Sequence, residues 1–299
     1  MKPCLPAEWA PQAFVQLTWP GRDGDFSRWF GEVEANFIRI AVAIGQYQPV
    51  LIACPDDAES LHRRLLAEGI APEHLAVLPV RANDVWARDH GPITVIRGNE
   101  PTHLDFQFNG WGGKYDLPGD DTVGAEIAGL VSAAVDAQDF ILEGGAIEYD
   151  GQGLILTTEQ CLLNPNRNPG WTHARAEQAL AKALGARRIV WLGEGLLNDH
   201  TDGHVDNLAR FVAPGTVALP KGDASDPNAA VFDDARERLR AAGLAVVDIP
   251  SVGAYEMDGD LVPASHMNWI IANGQVVVPL YGTASDAAAV AAVRKCFPR

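Results

Sequence analysis

The 299 residues carry 23 Lys and Arg against 39 Asp and Glu, a formal net charge of -16 at pH 7 with His neutral. A chain this acidic, without a basic stripe, excludes nucleic acid or another polyphosphate as its natural partner. The 47% hydrophobic content is that of a globular protein with a sizeable core, and no apolar run approaches the roughly 20 residues of a membrane span.

Cys4, Cys54, Cys161 and Cys296 are widely spaced and form no Cys-x-x-Cys pair, so neither a disulfide framework nor a zinc ribbon is expected. The start, Met1-Lys-Pro-Cys-Leu-Pro-Ala-Glu8, has no apolar signal-peptide core. These features predict a cytoplasmic protein with no membrane partner.

In chain order, residues 13–18 predict a buried strand ended by Trp19-Pro-Gly21. Apolar residues recur at helical spacing from Phe26 to about Tyr47, with Asp25 available as a cap. A strand over Val50–Cys54, a helix over Asp56–Gly69 and a strand over Leu75–Val80 follow. The chain then becomes periodic. Trp86-Ala-Arg-Asp-His-Gly-Pro92 leads into a strand over Ile93–Arg97. Leu142-Glu-Gly-Gly145 leads into Ala146–Tyr149, a turn at Asp150-Gly-Gln-Gly153 and a strand over Leu154–Thr158. Gly203-His204 leads into a strand pair turned at Pro214-Gly215. Pro263-Ala-Ser-His-Met-Asn268 leads into Trp269–Ala272, the turn Asn273-Gly274 and a strand over Gln275–Leu280.

Each of the last three hairpins precedes a helical segment, at about 171–184, 229–242 and 285–295. Strands at Arg188–Trp191 and Ala245–Ile249 follow the first two of these helices. A hairpin–helix–strand unit recurring roughly every 50 to 60 residues predicts units stacked round an axis, in one domain spanning 1–299, rather than a doubly wound sheet. The polar entries of successive units then converge at one end: Asp89, Glu143, the pair His204 and Asp206, and Ser265 with His266. The last unit stops before the strand its pattern demands, and the first strand has no hairpin partner. The expectation is therefore that the last unit is incomplete and that a closing segment lies beyond Arg299.

Asp89, Glu143 and Asp206 in one pocket favour a cation. His204, two residues from Asp206 on a strand-like stretch, shares its face, so a carboxylate tunes the imidazole. Guanidinium is the cation whose planar fork of donors meets several carboxylates at once. Trp86, and Trp111 within Phe108-Asn-Gly-Trp-Gly-Gly113, are candidate flat walls for it; such a ring is more often core than ligand contact, and the glycines beside Trp111 shift that one towards a loop approaching a ligand. The ligand-rich run His200, Asp202, His204 and Asp206 also suggests a metallohydrolase. Two His four apart share a face only on a helix, and Gly203 beside a strand start argues against one.

Five motifs, in order along the chain, resemble a known family. They are Asn83-Asp-Val-Trp-Ala-Arg-Asp89, Phe108–Gly113, Glu143-Gly-Gly145, Thr157-Thr-Glu-Gln-Cys-Leu-Leu-Asn-Pro-Asn-Arg-Asn-Pro169 and Thr201-Asp-Gly-His-Val-Asp-Asn207. They are similar to those of the agmatine deiminases, in the bacterial-type peptidylarginine deiminase family of the guanidino-modifying (pentein) superfamily. The resemblance runs from Pro6 to Pro298. It implies a five-bladed pseudo-symmetric α/β propeller in which a cysteine thiolate attacks the guanidinium carbon of agmatine, releasing ammonia and then a ureido product. By the same resemblance Asp89 and Asp206 hold the guanidinium nitrogens, Glu143 assists binding, and His204 carries protons. It calls for no metal and no cofactor.

The family's nucleophilic cysteine lies in a Gly-rich segment near its C-terminus, and none of the four cysteines here matches it. Cys161 falls in a non-catalytic stretch. His200 stands where an acid for the substrate's distal amine is expected, so Asp199 or Asp202 is the candidate replacement. A peptidylarginine or other guanidino-compound deiminase, and a non-catalytic guanidino- or polyamine-binding propeller, are the alternatives. A homodimer is the default expectation for a cytoplasmic enzyme.

Overall fold

The computed structural model describes residues 2–24, 26–131 and 134–298. The architecture is α/β, built from one recurring unit. In that unit an antiparallel hairpin is followed by a helix, and the chain returns as a strand parallel to the hairpin's second strand. Leu154–Thr158 pairs antiparallel with Glu148–Tyr149 and parallel with Arg188–Leu192, which follows the helix His173–Leu184. Arg210–Ala213, Thr216–Lys221 and Ala245–Pro250 repeat the pattern around the helix Ala229–Ala241.

The structure adds an instance that the periodicity left out. Ile93–Arg97 pairs antiparallel with Glu100–Gln107, and after the helix Val123–Leu130 the strand Ala134–Ile141 runs parallel to the latter. Pro3–Cys4 closes the outer edge of that sheet against Ile96 and Arg97. Ile270–Ala272 and Gln275–Val277 form a hairpin followed by the helix Asp286–Cys296. The first strand, Val15–Thr18, lies parallel to Val50–Ala53, which is parallel to Leu75–Leu78, with the helices Phe30–Gly45 and Ala58–Ala67 as crossovers. The predicted cap Asp25 lies outside the described residues; Asp57 caps the second of these helices by accepting from the Ser60 N–H at 2.9 Å.

The helices bury apolar stripes against their own sheets or against a neighbouring one, as Val123 and Ile127 do on Leu51 and Ala53. Ala176, Leu180, Ala183 and Leu184 pack on Leu142, Ile147 and Ile155, and Phe232, Ala235 and Leu239 pack on Phe211, Val217 and Leu219. No helix among the described residues is long and apolar enough to cross a membrane.

Candidate active site

Asp89, Glu143, His204 and Asp206 all lie in the short segments that lead into the hairpins. Asp89 sits in the single helical turn Ala87–His90. The Asp120 carboxylate fixes the approach to it, accepting from the backbone N–H groups of Asn83 at 2.6 Å and Asp84 at 3.0 Å. Glu143 precedes the 3-10 turn Gly144–Ala146. His204 and Asp206 do not lie on a strand, as their spacing suggested. His204 is extended, but Val205–Asn207 is a 3-10 turn, because the chain must bend before entering Arg210–Ala213. Val205 and Leu208 anchor that turn in the core. The three turns pack on one another, and this packing brings the residues together.

Gly145 marks the centre. Its N–H donates to Asp89 Oδ1 at 2.9 Å. A Cβ placed there would lie 2.4 Å from His204 Nδ1, 2.8 Å from Asp89 Oδ1 and 2.9 Å from Asp206 Oδ2. One imidazole nitrogen and two carboxylate oxygens thus converge beside a residue with no side chain. His204 Nδ1 is 3.7 Å from Asp89 Oδ1. Burial opposes the imidazolium, but the charge of Asp89 and contact with Cys161 outweigh it and hold His204 well above its ordinary pKa. Burial pushes Asp206 up to about 6 against the pull of His204 and Arg88, and its Oδ1 has no hydrogen-bond partner.

The sequence-predicted walls divide. Trp111 is buried and donates from Nε1 to Asp89 Oδ2 at 3.0 Å, so it orients a carboxylate. Its backbone sits at φ 55°, flanked by Gly110 and Gly112 at positive φ, a strained arrangement typical of functional loops. Around its ring stand Phe108, Tyr115 and His200, with centroids 5.1, 5.6 and 5.9 Å away. Trp86 is 44% exposed and makes no ring contact among the described residues.

The acids offered for a distal amine are occupied. Asp202 accepts from Lys114 Nζ at 2.6 Å, from Asn166 Nδ2 at 2.9 Å and from Arg167. Asp199 braces its own loop through Thr201 Oγ1 at 2.7 Å and Asn207 Nδ2 at 3.2 Å. His266 spends Nδ1 on Pro279 O and Nε2 on Ser285 Oγ, within its own unit. His200 and His204 likewise part company, His200 lying exposed among the aromatic rings.

Five residues in and around the site were not assigned a role from sequence. Arg167, 3% exposed, donates from Nε to Glu143 at 2.9 Å, from Nη1 to Asp202 and from Nη2 to the Thr201 carbonyl at 2.7 Å. It therefore ties Glu143 to the loop carrying His204. Arg88 stands 3.7 Å from Asp206 Oδ2 and is itself held by Glu8, whose second oxygen binds the fully buried Arg210. Those two cations outweigh the burial of Glu8 and lower its pKa. Cys161 is buried against His204, and burial raises its thiol pKa in spite of that contact. The signal for Arg88 and Arg167 lay inside the quoted motifs, since a buried Arg needs carboxylate partners. The identity of those partners is a matter of tertiary contact.

Fold and site together define an α/β protein with a buried acid–base centre built from carboxylates and an imidazole. The sequence pattern of the Porphyromonas-type peptidyl-arginine deiminases matches residues 4–299. An agmatine deiminase of Stutzerimonas stutzeri is 34% identical, over 98% of this chain and 88% of its own length. Among solved structures, the agmatine deiminase of Enterococcus faecalis superposes with a TM-score of 0.89 at 32% identity, over 99% of this chain and 88% of that one. A substrate-bound agmatine deiminase of C. jejuni gives 0.92 at 27% identity, over 100% and 88%. The chain belongs to the Porphyromonas-type peptidyl-arginine deiminase family.

Proposed function

We propose that this protein hydrolyses agmatine to N-carbamoylputrescine and ammonia. The observation that carries the reading is the convergence of His204 Nδ1, Asp89 Oδ1 and Asp206 Oδ2 on one point beside Gly145. A guanidinium held against this cluster gives its N–H donors to the two carboxylates. Its carbon is a poor electrophile while the positive charge is spread over three nitrogens, and fixed carboxylates hold that charge while a nucleophile adds. A thiolate adds to the carbon, and His204, kept as imidazolium by Asp89, gives its proton to the departing nitrogen, which leaves as ammonia. A water then adds to the amidino-thioether, His204 takes its proton, and the thiolate departs from the ureido product. Cys161 does not suit the nucleophile's part, since it is wholly buried beside His204 with its thiol pKa raised.

The recurring units support a five-bladed pseudo-symmetric α/β propeller of the pentein type, with the polar entries at its axis. Four free thiols fit a cytoplasmic setting, and the acidic surface fits a small cationic guanidino substrate rather than nucleic acid. A homodimer remains part of the proposal. The rings of Tyr115 and His200 offer faces for the alkyl chain and its distal ammonium, in place of the occupied Asp199 and Asp202.

The test is ureido-product and ammonia release from agmatine, with arginine as comparison, beside calorimetric titration of both. Agmatine turnover supports the reading. Heat of binding without ammonia favours the guanidino-binding alternative, and neither signal from folded protein refutes both.

A further inference from the structure

We propose that Glu143, Cys161 and His204 form a binding site for a thiophilic divalent cation such as Zn2+, and that filling it stops the reaction. The three residues come from three separate turns: Glu143 before Gly144–Ala146, Cys161 in the helical turn Glu159–Leu162, and His204 before Val205–Asn207. A carboxylate oxygen, the thiol sulfur and an imidazole nitrogen all lie within 4.8 Å of one another. Zinc–ligand bonds of about 2.0–2.3 Å at tetrahedral angles set ligand atoms about 3.3–3.8 Å apart, so side-chain movements on the order of 1 Å close the site.

A second observation points to the same place. His204 Nε2 is buried and makes no hydrogen bond of ordinary geometry, and the group its ring meets is the Cys161 thiol, the second member of the proposed site. A polar atom left unsatisfied in so closed a setting is costly unless something fills the coordination. Glu143 spends Oε1 on Arg167 Nε, and Arg167 keeps Asp202 and the Thr201 carbonyl as further partners, so the carboxylate can turn toward a metal without orphaning the guanidinium.

The donor set also selects its metal. One thiolate, one imidazole and one carboxylate suit Zn2+ or Cd2+ and leave a fourth position open, whereas Mg2+ and Ca2+ prefer oxygen. Binding releases two protons, one from the Cys161 thiol and one from the His204 imidazolium, and the thiolate and carboxylate together neutralise the dication. Asp89 and Asp206, with side chains 9% and 5% exposed, add negative charge close to His204. His204 then has one nitrogen on the metal and can no longer relay protons, and Glu143 is drawn from its place. The inhibitory half of the proposal rests on the deiminase reading; the binding half does not.

The 299-residue protein is titrated with Cd2+ while the ultraviolet thiolate-to-metal charge-transfer absorption is followed, and Zn2+ is then used to displace it. The expected result is one tight equivalent, weakened at least tenfold in Cys161→Ser and in Cys161→Ala, and unchanged in a Cys4→Ser, Cys296→Ser double variant. Circular dichroism establishes that each variant is folded, and His204→Asn gives an independent loss of affinity. If Cys161→Ser keeps the wild-type stoichiometry and affinity, or if the absorption follows Cys4 or Cys296, the site is refuted. In the agmatine assay, Zn2+ is expected to inhibit reversibly, with at least tenfold less sensitivity in Cys161→Ser. Cd2+ bound at Cys161 with turnover unimpaired overturns the inhibitory half. Absence of turnover in metal-free protein counts against the deiminase reading and leaves the binding result standing.

Discussion

Replacing Gly145 with Ala adds one methyl group at the point where the site converges. The backbone there is not in the left-handed region, so the perturbation is one of space rather than of conformation. The new carbon would stand 2.4 Å from His204 Nδ1, where an ordinary contact is about 3.4 Å, so the imidazole must retreat by about 1 Å. The same methyl presses on Asp89 at 2.8 Å and Asp206 at 2.9 Å, so the ring cannot yield by moving toward either. A misplacement on the order of 1 Å costs about 100-fold in rate, or roughly 2.7 kcal/mol of barrier. Overpacking so closed a place costs a further ~1–3 kcal/mol of stability, a fall in Tm of several degrees. Agmatine turnover and calorimetric affinity are to be measured beside thermal unfolding, with Gly31→Ala as control. Gly31 is helical and has nothing within 4 Å of its added Cβ, so that variant should behave as wild type or slightly more stable. A Gly145→Ala protein whose turnover and agmatine affinity stay within threefold of wild type would refute the placement of the guanidinium.

Three other perturbations test the supporting groups. Asp206 has its carboxyl raised from 3.8 to about 6, so the folded state binds more protons than the unfolded chain between those values, and stability falls as pH rises through that window. Asp206→Asn is therefore expected to be more stable than wild type at pH 7, by up to about 3 kcal/mol, while losing agmatine affinity; lower stability in urea titrations would contradict this. In the wild type, agmatine affinity should weaken as pH drops through about 6. Glu8→Gln leaves Arg88 and Arg210 buried with one fewer counter-charge, at a cost of about 3–5 kcal/mol. Because the Glu8 pKa is lowered in the fold, its contribution is present above the unfolded value of 4.5 and is lost as pH falls. The variant's deficit should thus shrink in acid, and a deficit that stays constant with pH would exclude the ion-pair explanation. Trp111→Phe keeps a ring among Phe108, Tyr115 and His200 but removes the Nε1–H bond to Asp89. A hydrogen bond to a charged group is worth about 1.5–3 kcal/mol of stability, so Tm should fall by several degrees, and agmatine affinity should fall as well because Asp89 is no longer held in orientation.

The sequence by itself determined the rhythm of the chain and most of the groups at the centre. Alternating apolar runs closed by Asp150-Gly-Gln-Gly153, Pro214-Gly215 and Asn273-Gly274 are local signals, and hairpins stand at each of them. Asp89, Glu143, His204 and Asp206 were legible because polar groups at the mouths of buried strands must either meet water or form a site. The strands Glu100–Gln107 and Ala134–Ile141 were not, since the first opens on Glu-Pro and the second is half-exposed along its length, which dilutes the apolar signal. Only the tertiary structure decided which charges neutralise which. Arg167 takes Asp202 out of contention as a distal anchor, Glu8 reaches across 80 residues to hold Arg88, and Gly145 becomes the centre because three turns pack around it. Hairpins and helical stripes are written within a few residues of themselves. A buried ion pair, or a hydrogen atom in place of a side chain, acquires its meaning from whatever the fold sets against it.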